Sequence, residues 1–119
     1  MKLERELMRG AGPTAVMQLL SGGEKYGYEL VEALSRQTDG VLAMGQSTLY
    51  PLLYNLEAKG LVRSRLDETG ARPRRFYRLT SKGQKKLAYD TQQWQALWDA
   101  LRALGITQKR AAAPAGGGQ

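Results

Sequence analysis

The sequence predicts a mainly α-helical fold of the α+β class, in which three helices precede a small hairpin and one long helix follows it. Apolar residues recur at helical spacing through residues 13–60. Between residues 62 and 79 they change to strict alternation, which is the period of a half-buried strand. A second helical stripe runs from residue 81 to residue 105. These changes of period predict the order helix, helix, helix, strand, strand, helix.

The N-terminal part predicts a short leading helix over Leu3–Met8 and then the first of the three main helices, beginning at Pro13. Gly10 and Gly12 separate the two segments. Proline suits the first turn of a helix because its missing N–H has no partner there in any case. A buried stripe precedes the sequence SGG, which ends the helix: Ala15, Val16, Leu19 and Leu20.

The second helix is predicted within the sequence YGYELVEALSRQT. Four of its residues recur at the i, i+3, i+4 and i+7 spacing of one helical face. They are Gly27, Leu30, Val31 and Leu34.

The third helix, within QSTLYPLLYNLEAKG, has leucines on one face and polar or aromatic residues on the other. Its cap is predicted within the triplet Gln46, Ser47 and Thr48. If Thr48 is the cap, Pro51 is the third helical residue and costs no intrahelical bond, whereas an earlier start predicts a slight kink. Gly60 ends the helix. The core-facing leucines are Leu49, Leu52, Leu53 and Leu56.

The change to alternation predicts an antiparallel hairpin with an arginine-rich tip, turned by the sequence ETGA. In its first strand, Arg63 and Arg65 take one face, and three residues take the other: Val62, Ser64 and Leu66. The second strand places Tyr77 and Leu79 opposite three others: Arg74, Phe76 and Arg78.

The last helix is predicted from a Ser81 cap to Gly105, and it has an apolar stripe with nothing left in a small domain to cover it. A second copy of the same helix is the simplest cover, so the stripe predicts a homodimer. The predicted interface residues are Leu87, Trp94, Leu97, Trp98, Leu101 and Leu104.

Three helices followed by a two-stranded wing describe a winged helix-turn-helix. The predicted organisation is therefore a winged helix-turn-helix domain over residues 1–80, a C-terminal dimerisation helix over residues 81–105, and a flexible tail over residues 106–119. The tail ends in AAAPAGGGQ, which offers nothing to bury.

The composition argues against several classes of function. The 119-residue chain has no Cys and no His, so disulfides, zinc or copper sites and His- or Cys-based catalysis are not expected. Glu29 and Glu32 are the only carboxylate pair on one helical face, and such a pair is ordinary surface. We therefore expect no enzyme, no cofactor and no metal. The sequence predicts neither a signal peptide nor a membrane span, which favours a cytoplasmic protein.

The net charge of +7 is concentrated in one segment. Residues 59–86 contain ten of the 18 basic residues and only two acids, a local charge of +8, whereas the rest of the chain sums to −1. Such a cluster suits a polyanionic partner. A basic face that serves only solubility is the alternative, although solubility favours mixed charges.

Three segments of the sequence resemble the PadR family of bacterial transcriptional regulators. They are YGYEL at residues 26–30, STLYPLLYNLEAKGLV at residues 47–62 and RRFYRLTSKGQKKL at residues 74–87. With the leading ELMRGA, the resemblance spans about the first 90 residues. The single C-terminal helix is similar to the short subgroup, whose members pair through it. The resemblance implies a homodimeric repressor of a short inverted-repeat operator. A tryptophan common in the family's first wing strand is absent here.

The outer face of the third helix and the wing are the predicted DNA-binding surfaces. The Gln46 amide can form two hydrogen bonds with adenine, and Ser47 and Thr48 can contact bases or phosphates. The hydroxyls of Tyr50 and Tyr54 can donate to phosphates. Packing against the wing or a neighbouring helix is the alternative for both tyrosines. Arg72 and Arg74, which flank Pro73 near the hairpin tip, are predicted to lie along the minor groove or to enter it. The other wing arginines are predicted to neutralise phosphates: Arg63, Arg65 and Arg78.

The two tryptophans and the domain as a whole each allow two interpretations. Trp94 and Trp98, four residues apart, suit a dimer core, or they border a cavity for a planar aromatic effector, as in some PadR relatives, with Met8 lining the same space. The whole domain has an alternative as well, because a winged helix also serves as a protein–protein interaction module without specific DNA binding.

Overall fold

The computed structural model describes residues 1–106, which form four helices and a small antiparallel sheet. Their order is α1 (Arg5–Ser21), β1 (Lys25–Tyr26), α2 (Gly27–Gln37), α3 (Gln46–Ala58), β2 (Val62–Asp67), β3 (Arg74–Leu79) and α4 (Ser81–Ala103). The chain divides into two compact units, with the boundary between Ala88 and Tyr89. The first unit contains the whole winged helix, so the predicted α+β winged-helix class is confirmed. Residues 107–119 of the predicted tail lie outside the described residues.

Helix α1 is continuous, so the predicted break between Met8 and Pro13 is wrong. Pro13 lies inside the helix, where its ring removes one backbone N–H donor. Packing outweighs that loss, because Val16 and its neighbours on the same face are fully buried. Gly12 also permits close contact with α3: a Cβ at this position would lie 3.1 Å from Leu52 Cδ1.

The core of the first unit joins α1, α2 and α3 to the inner face of the sheet. The predicted leucine face of α3 is confirmed for Leu49, Leu53 and Leu56, which are buried, whereas Leu52 is half-buried. From the sheet, Val62 and Tyr77 complete the same cluster. Helix α3 is therefore fixed to the domain along its leucine face, and its other face points outward.

The predicted hairpin is confirmed, including its two faces. Arg63 pairs with Arg78 and Ser64 pairs with Tyr77 in an antiparallel register. The sheet also has a third strand that was not predicted. This strand, β1, contains only Lys25 and Tyr26 and lies antiparallel to β3. Two residues are too short a segment to show a period.

The start of α4 belongs to the winged helix and not to a separate dimerisation element. Its cap is Thr80 and not Ser81: the Gly83 N–H donates to Thr80 Oγ1 at 2.9 Å. Leu87 is only 9% exposed and lies in the core cluster. Leu87 therefore packs within its own chain and is not included in the proposed interface, and the first unit ends at residue 88, whereas the predicted DNA-binding domain ends at residue 80.

In the second unit, the remainder of α4 has a largely exposed apolar face. Trp98 is 49% exposed, and Leu97 is exposed as well. Leu104 and Ile106, just beyond the end of the helix, are also exposed. Trp94 and Leu101 are half-buried. Asp99 accepts hydrogen bonds from Gln95 and Arg102, which places these polar groups together on the helix surface.

The buried Tyr77 is expected to make the fold less stable at alkaline pH. Its side chain is 1% exposed, and burial, the largest cause, raises its pKa from an ordinary value of 10.0 to about 12. The folded state therefore holds this proton more tightly than the unfolded state. The resulting stability is fully present below pH 10 and is lost as the pH rises towards 12.

We expect the free energy of unfolding to fall, relative to Tyr77→Phe, by about 1.4 kcal/mol per pH unit in this window. Urea unfolding of both proteins at several pH values measures it, and parallel pH profiles would contradict it.

Candidate nucleic-acid interface

Helix α3 begins earlier than the predicted Thr48 cap. Gly45 is the capping residue, no side chain caps the helix, and Pro51 is consequently the sixth helical residue. The Gly45 carbonyl accepts the N–H groups of Thr48 and Leu49 at 3.1 and 3.0 Å. Gln46, Ser47 and Thr48 thus form an exposed first turn that contains no acid. A helix N-terminus of this kind attracts a phosphate through its N–H groups and its dipole.

The two tyrosines of α3 have different surroundings. The half-buried Tyr50 packs against the core cluster, and its hydroxyl lies directly against Gly27 at the start of α2. Tyr54 is 59% exposed, with its ring centroid 6.3 Å from that of Tyr50. Tyr50 therefore packs against a neighbouring helix, as the alternative interpretation predicts, whereas more than half of the Tyr54 residue surface is exposed.

A cleft of about 440 Å³ joins the N-terminal end of α3 to the wing. Gln46 and Tyr50 line it from α3, and Arg72 and Arg74 line it from the wing. The fold thus brings together residues that are more than 20 positions apart in the sequence. The other lining residues are Tyr26, Gly27, Tyr28, Pro73 and Arg75.

A row of alternating cations and rings crosses the outer face of the sheet. The Arg65 guanidinium lies 4.9 Å from the centroid of the Phe76 ring, which meets Tyr26 edge-on at 5.3 Å. On the far side, the Arg74 guanidinium lies 4.7 Å from the Tyr26 centroid. Contacts of this type restrict a long side chain. Arg74 is therefore held beside the cleft that contains Gln46.

Arg65 differs from the other predicted phosphate ligands because it already has an anionic partner. Its guanidinium donates to both carboxylate oxygens of Glu24, at 2.7 and 2.8 Å. The hydrogen bond from Arg65 holds the pKa of Glu24 below its ordinary value, and the same bond raises the pKa of Arg65. The pair ties the segment before β1 to the first wing strand, so Arg65 has a structural role here.

Arg63 and Arg78 are exposed and lie opposite each other in the strand register. Like charges in directly opposed positions destabilise a sheet when no anion lies between them. This pair does not line the cleft, so the wing has two separate groups of cations. Both groups suit a polyanion that lies along the hairpin.

Comparison with known proteins shows which family this arrangement belongs to. The profile of the transcriptional regulator PadR-like family matches residues 16–89, which is more than half of the chain. The chain belongs to the PadR-like family of transcriptional regulators. The predicted resemblance to this family is confirmed. The family and the relatives described next are transcriptional regulators and not enzymes.

Relatives of this PadR-like chain agree with the profile. The transcriptional regulator Rv3488 of Mycobacterium tuberculosis is 36% identical over 86 residues, which cover 72% of this chain and 78% of Rv3488. A PadR family regulator from Eggerthella lenta has a similar crystal structure, with a TM-score of 0.72, 37% identity, and coverage of 87% and 88% of the two chains. The transcriptional regulator Cth-833 of Clostridium thermocellum has a TM-score of 0.78 at 27% identity, covering 85% of this chain and 96% of its own.

Several residues that line the cleft were not predicted from the sequence. Arg75 lines the cleft, and its Nη1 donates to Ser64 Oγ at 3.2 Å. Tyr26, the last residue of β1, and Tyr28, in the first turn of α2, border the same cleft. The available signal was the YGY triplet itself, but only the third strand shows that Tyr26 lies beside the wing.

The predicted effector residues fall in different parts of the structure. Met8 packs against the core of the first unit and lines a groove beside α3. Trp94 and Trp98 lie on α4 in the second unit. Among residues 1–106, no cluster of acidic residues has the arrangement of a metal site. The helices in the same range contain no apolar stretch that could span a bilayer.

The contact between Gly27 and Tyr50 gives a testable prediction about how α3 is held. A methyl group at Gly27 would overlap the Tyr50 hydroxyl and lie 2.8 Å from its ring carbon Cζ. We expect Gly27→Ala to lower the free energy of unfolding by about 1–2 kcal/mol. In a Tyr50→Phe background the cost should be smaller, because one of the clashing atoms is gone. A double-mutant cycle by urea unfolding measures the difference. Additive effects would contradict the contact.

Proposed function

We propose that this PadR-like chain is a sequence-specific DNA-binding repressor that acts as a homodimer on an inverted-repeat operator. The observation that carries the proposal is the cleft shared by Gln46 at the start of α3 and by Arg72 and Arg74 of the wing. A base-reading amide and phosphate-binding cations are adjacent there. This combination suits a duplex whose major groove receives α3 while the wing follows its backbone.

Within this proposal the exposed residues of α3 have separate roles. Gln46 reads adenine through two hydrogen bonds, which is the common pairing for an amide side chain. Ser47 and Thr48 contact bases or phosphates from the first turn, and Tyr54 donates to a phosphate. Tyr50 contributes by holding α3 in place. Arg63 and Arg78 neutralise phosphates along the hairpin, and Arg65 supports the sheet through Glu24.

The proposed dimer uses the apolar face of α4 beyond the winged helix. A stripe of large exposed apolar residues usually packs against another apolar surface. A second copy supplies it with two-fold symmetry, and the two copies of α3 then enter successive major grooves about 34–36 Å apart. The proposed interface residues are Trp94, Leu97, Trp98, Leu101 and Leu104. As a DNA-binding protein, the dimer would work in the cytoplasm at the nucleoid.

The experiment that tests this function is binding to the DNA upstream of the protein's own gene. A fluorescent fragment is titrated at rising salt, with and without excess unrelated DNA. Specific binding should survive the competitor, whereas simple charge attraction should not. Complete loss to competitor DNA at every salt concentration would favour the protein–protein interaction module. A reporter fused to the same upstream region distinguishes repression from activation.

The proposed effector response has its own test. Trp94 and Trp98 belong to the dimer core in the favoured assignment and border a cavity for planar aromatic molecules in the other. Quenching of tryptophan fluorescence by such molecules, together with release of DNA, supports the cavity. No response across a broad panel of planar aromatics leaves both residues in the dimer core.

A further inference from the structure

Helix α3 has a second groove on its other side, facing α1, and its chemistry differs from that of the wing cleft. Its volume is about 570 Å³, which falls within the usual range for small-molecule sites. The wing cleft is rich in arginine and tyrosine. The second groove, which we term the α1–α3 groove, is lined mainly by aliphatic and thioether side chains: Met8, Pro13, Met44, Pro51, Leu52 and Leu56.

The rim of the α1–α3 groove is cationic. Arg5 and Arg9 lie on α1, and Lys59 lies at the end of α3. All three side chains are exposed, and none forms an ion pair with another residue within positions 1–106. No carboxylate from this part of the chain lines the groove. Thr48 and Asn55 add hydrogen-bonding groups on the α3 side.

We propose that the α1–α3 groove binds a small amphipathic anion, of the class of medium-chain aliphatic carboxylates. The apolar floor accepts the chain, and the rim cations pair with the carboxylate. An aliphatic chain fits better than a flat ring because no aromatic side chain lines the groove for stacking. Flexible methionines also adapt to a chain of variable shape.

The groove has a direct connection to the proposed DNA interface. Thr48, Pro51 and Asn55 belong to both the groove wall and the exposed surface of α3. An occupant therefore contacts the helix that we propose to enter the major groove. The inference that a bound anion alters DNA affinity rests on the proposed function, whereas anion binding itself does not.

Titration calorimetry of the full chain with hexanoate, octanoate and decanoate, below their micelle-forming concentrations and without DNA, tests the binding. The dissociation constant should fall by about fourfold per added methylene, because each buried methylene contributes a constant increment. Arg9→Glu should weaken decanoate binding by about tenfold, because a charged hydrogen-bonding partner is replaced by a repelling one. Decanol binding should change little in the same variant. Lys85→Glu, an equal charge change at an exposed site on α4, is the matched control.

The four methionines locate the bound anion without a substitution. With ¹³C-labelled methyl groups, decanoate should shift the NMR signals of Met8 and Met44, which line the groove. The signals of the exposed Met1 and of Met17 in the core should stay in place. No saturable binding, binding insensitive to Arg9→Glu, or shifts outside the groove would overturn the proposal. A protein that binds decanoate but no DNA would contradict the proposed function and leave the groove assignment intact.

Discussion

Replacing Arg72 and Arg74 together by glutamine is expected to weaken DNA binding by at least about a hundredfold near 0.1 M salt. Both residues line the cleft next to Gln46, and Arg74 is held there over the Tyr26 ring. In a dimer the change removes four phosphate contacts. Each lost contact lowers the slope of log K against log salt by about one unit, so the slope should fall by about four. Fluorescence anisotropy with the upstream fragment at several salt concentrations measures both quantities.

The matched control for this variant removes two arginines from other surfaces. Arg36 pairs with Glu32 on α2, and Arg102 pairs with Asp99 on α4. The Arg36→Gln/Arg102→Gln variant has the same net charge as the wing variant and should bind DNA with nearly the wild-type slope. Equal slopes for the wing and control variants would show that total charge, and not the cleft, determines the affinity.

Replacing Gly83 by alanine is expected to destabilise the first unit by about 3 kcal/mol, which lowers its Tm by roughly 15 °C. A Cβ at this position would overlap the Leu61 carbonyl oxygen and lie 2.7 Å from Leu79 Cδ1. The carbonyl cannot swing away easily, because it accepts the Thr80 N–H at 3.0 Å. The substitution therefore separates the first turn of α4 from the hairpin. Thermal unfolding followed by circular dichroism measures the shift.

A second glycine gives the control for Gly83. Gly70 lies in the exposed turn of the hairpin, where the nearest atom to an added Cβ is the Arg72 carbonyl oxygen at 3.9 Å. Gly70→Ala should leave the Tm within about 3 °C of the wild-type value, because the added methyl group meets its nearest neighbour at an ordinary van der Waals distance. If Gly83→Ala were equally mild, the close packing of α4 on Leu61 would be wrong.

The features that sequence predicts well are those set by a local period. The leucine face of α3 and the alternating faces of the hairpin follow directly from spacings of 3.6 and 2 residues. The apolar stripe beginning with Leu87 is also a correct reading of helical spacing. The spacing did not show what this stripe packs against. Leu87 packs into its own domain, because Gly83 brings the first turns of α4 against Leu61.

The features that sequence did not predict depend on contacts between distant segments. Pro13 stays inside α1 because tertiary packing outweighs a local helix-breaking tendency. Strand β1 exists only because β3 supplies its hydrogen-bonding partners. Similarly, the ion pair of Arg65 with Glu24 joins residues 41 positions apart, so a basic cluster read along the chain overstates its free charge.

We propose that α3 reads bases while the wing contacts phosphates, and a comparison of Gln46→Ala with Arg74→Gln separates these two roles. The measurement is binding of each variant to a library of operator sequences at several salt concentrations. Gln46→Ala should relax the preference at one base position per half-site and leave the salt slope unchanged. Arg74→Gln should weaken all sequences alike and lower the slope by about one unit per phosphate contact. The same sequence profile and the same salt slope for both variants would contradict the claim.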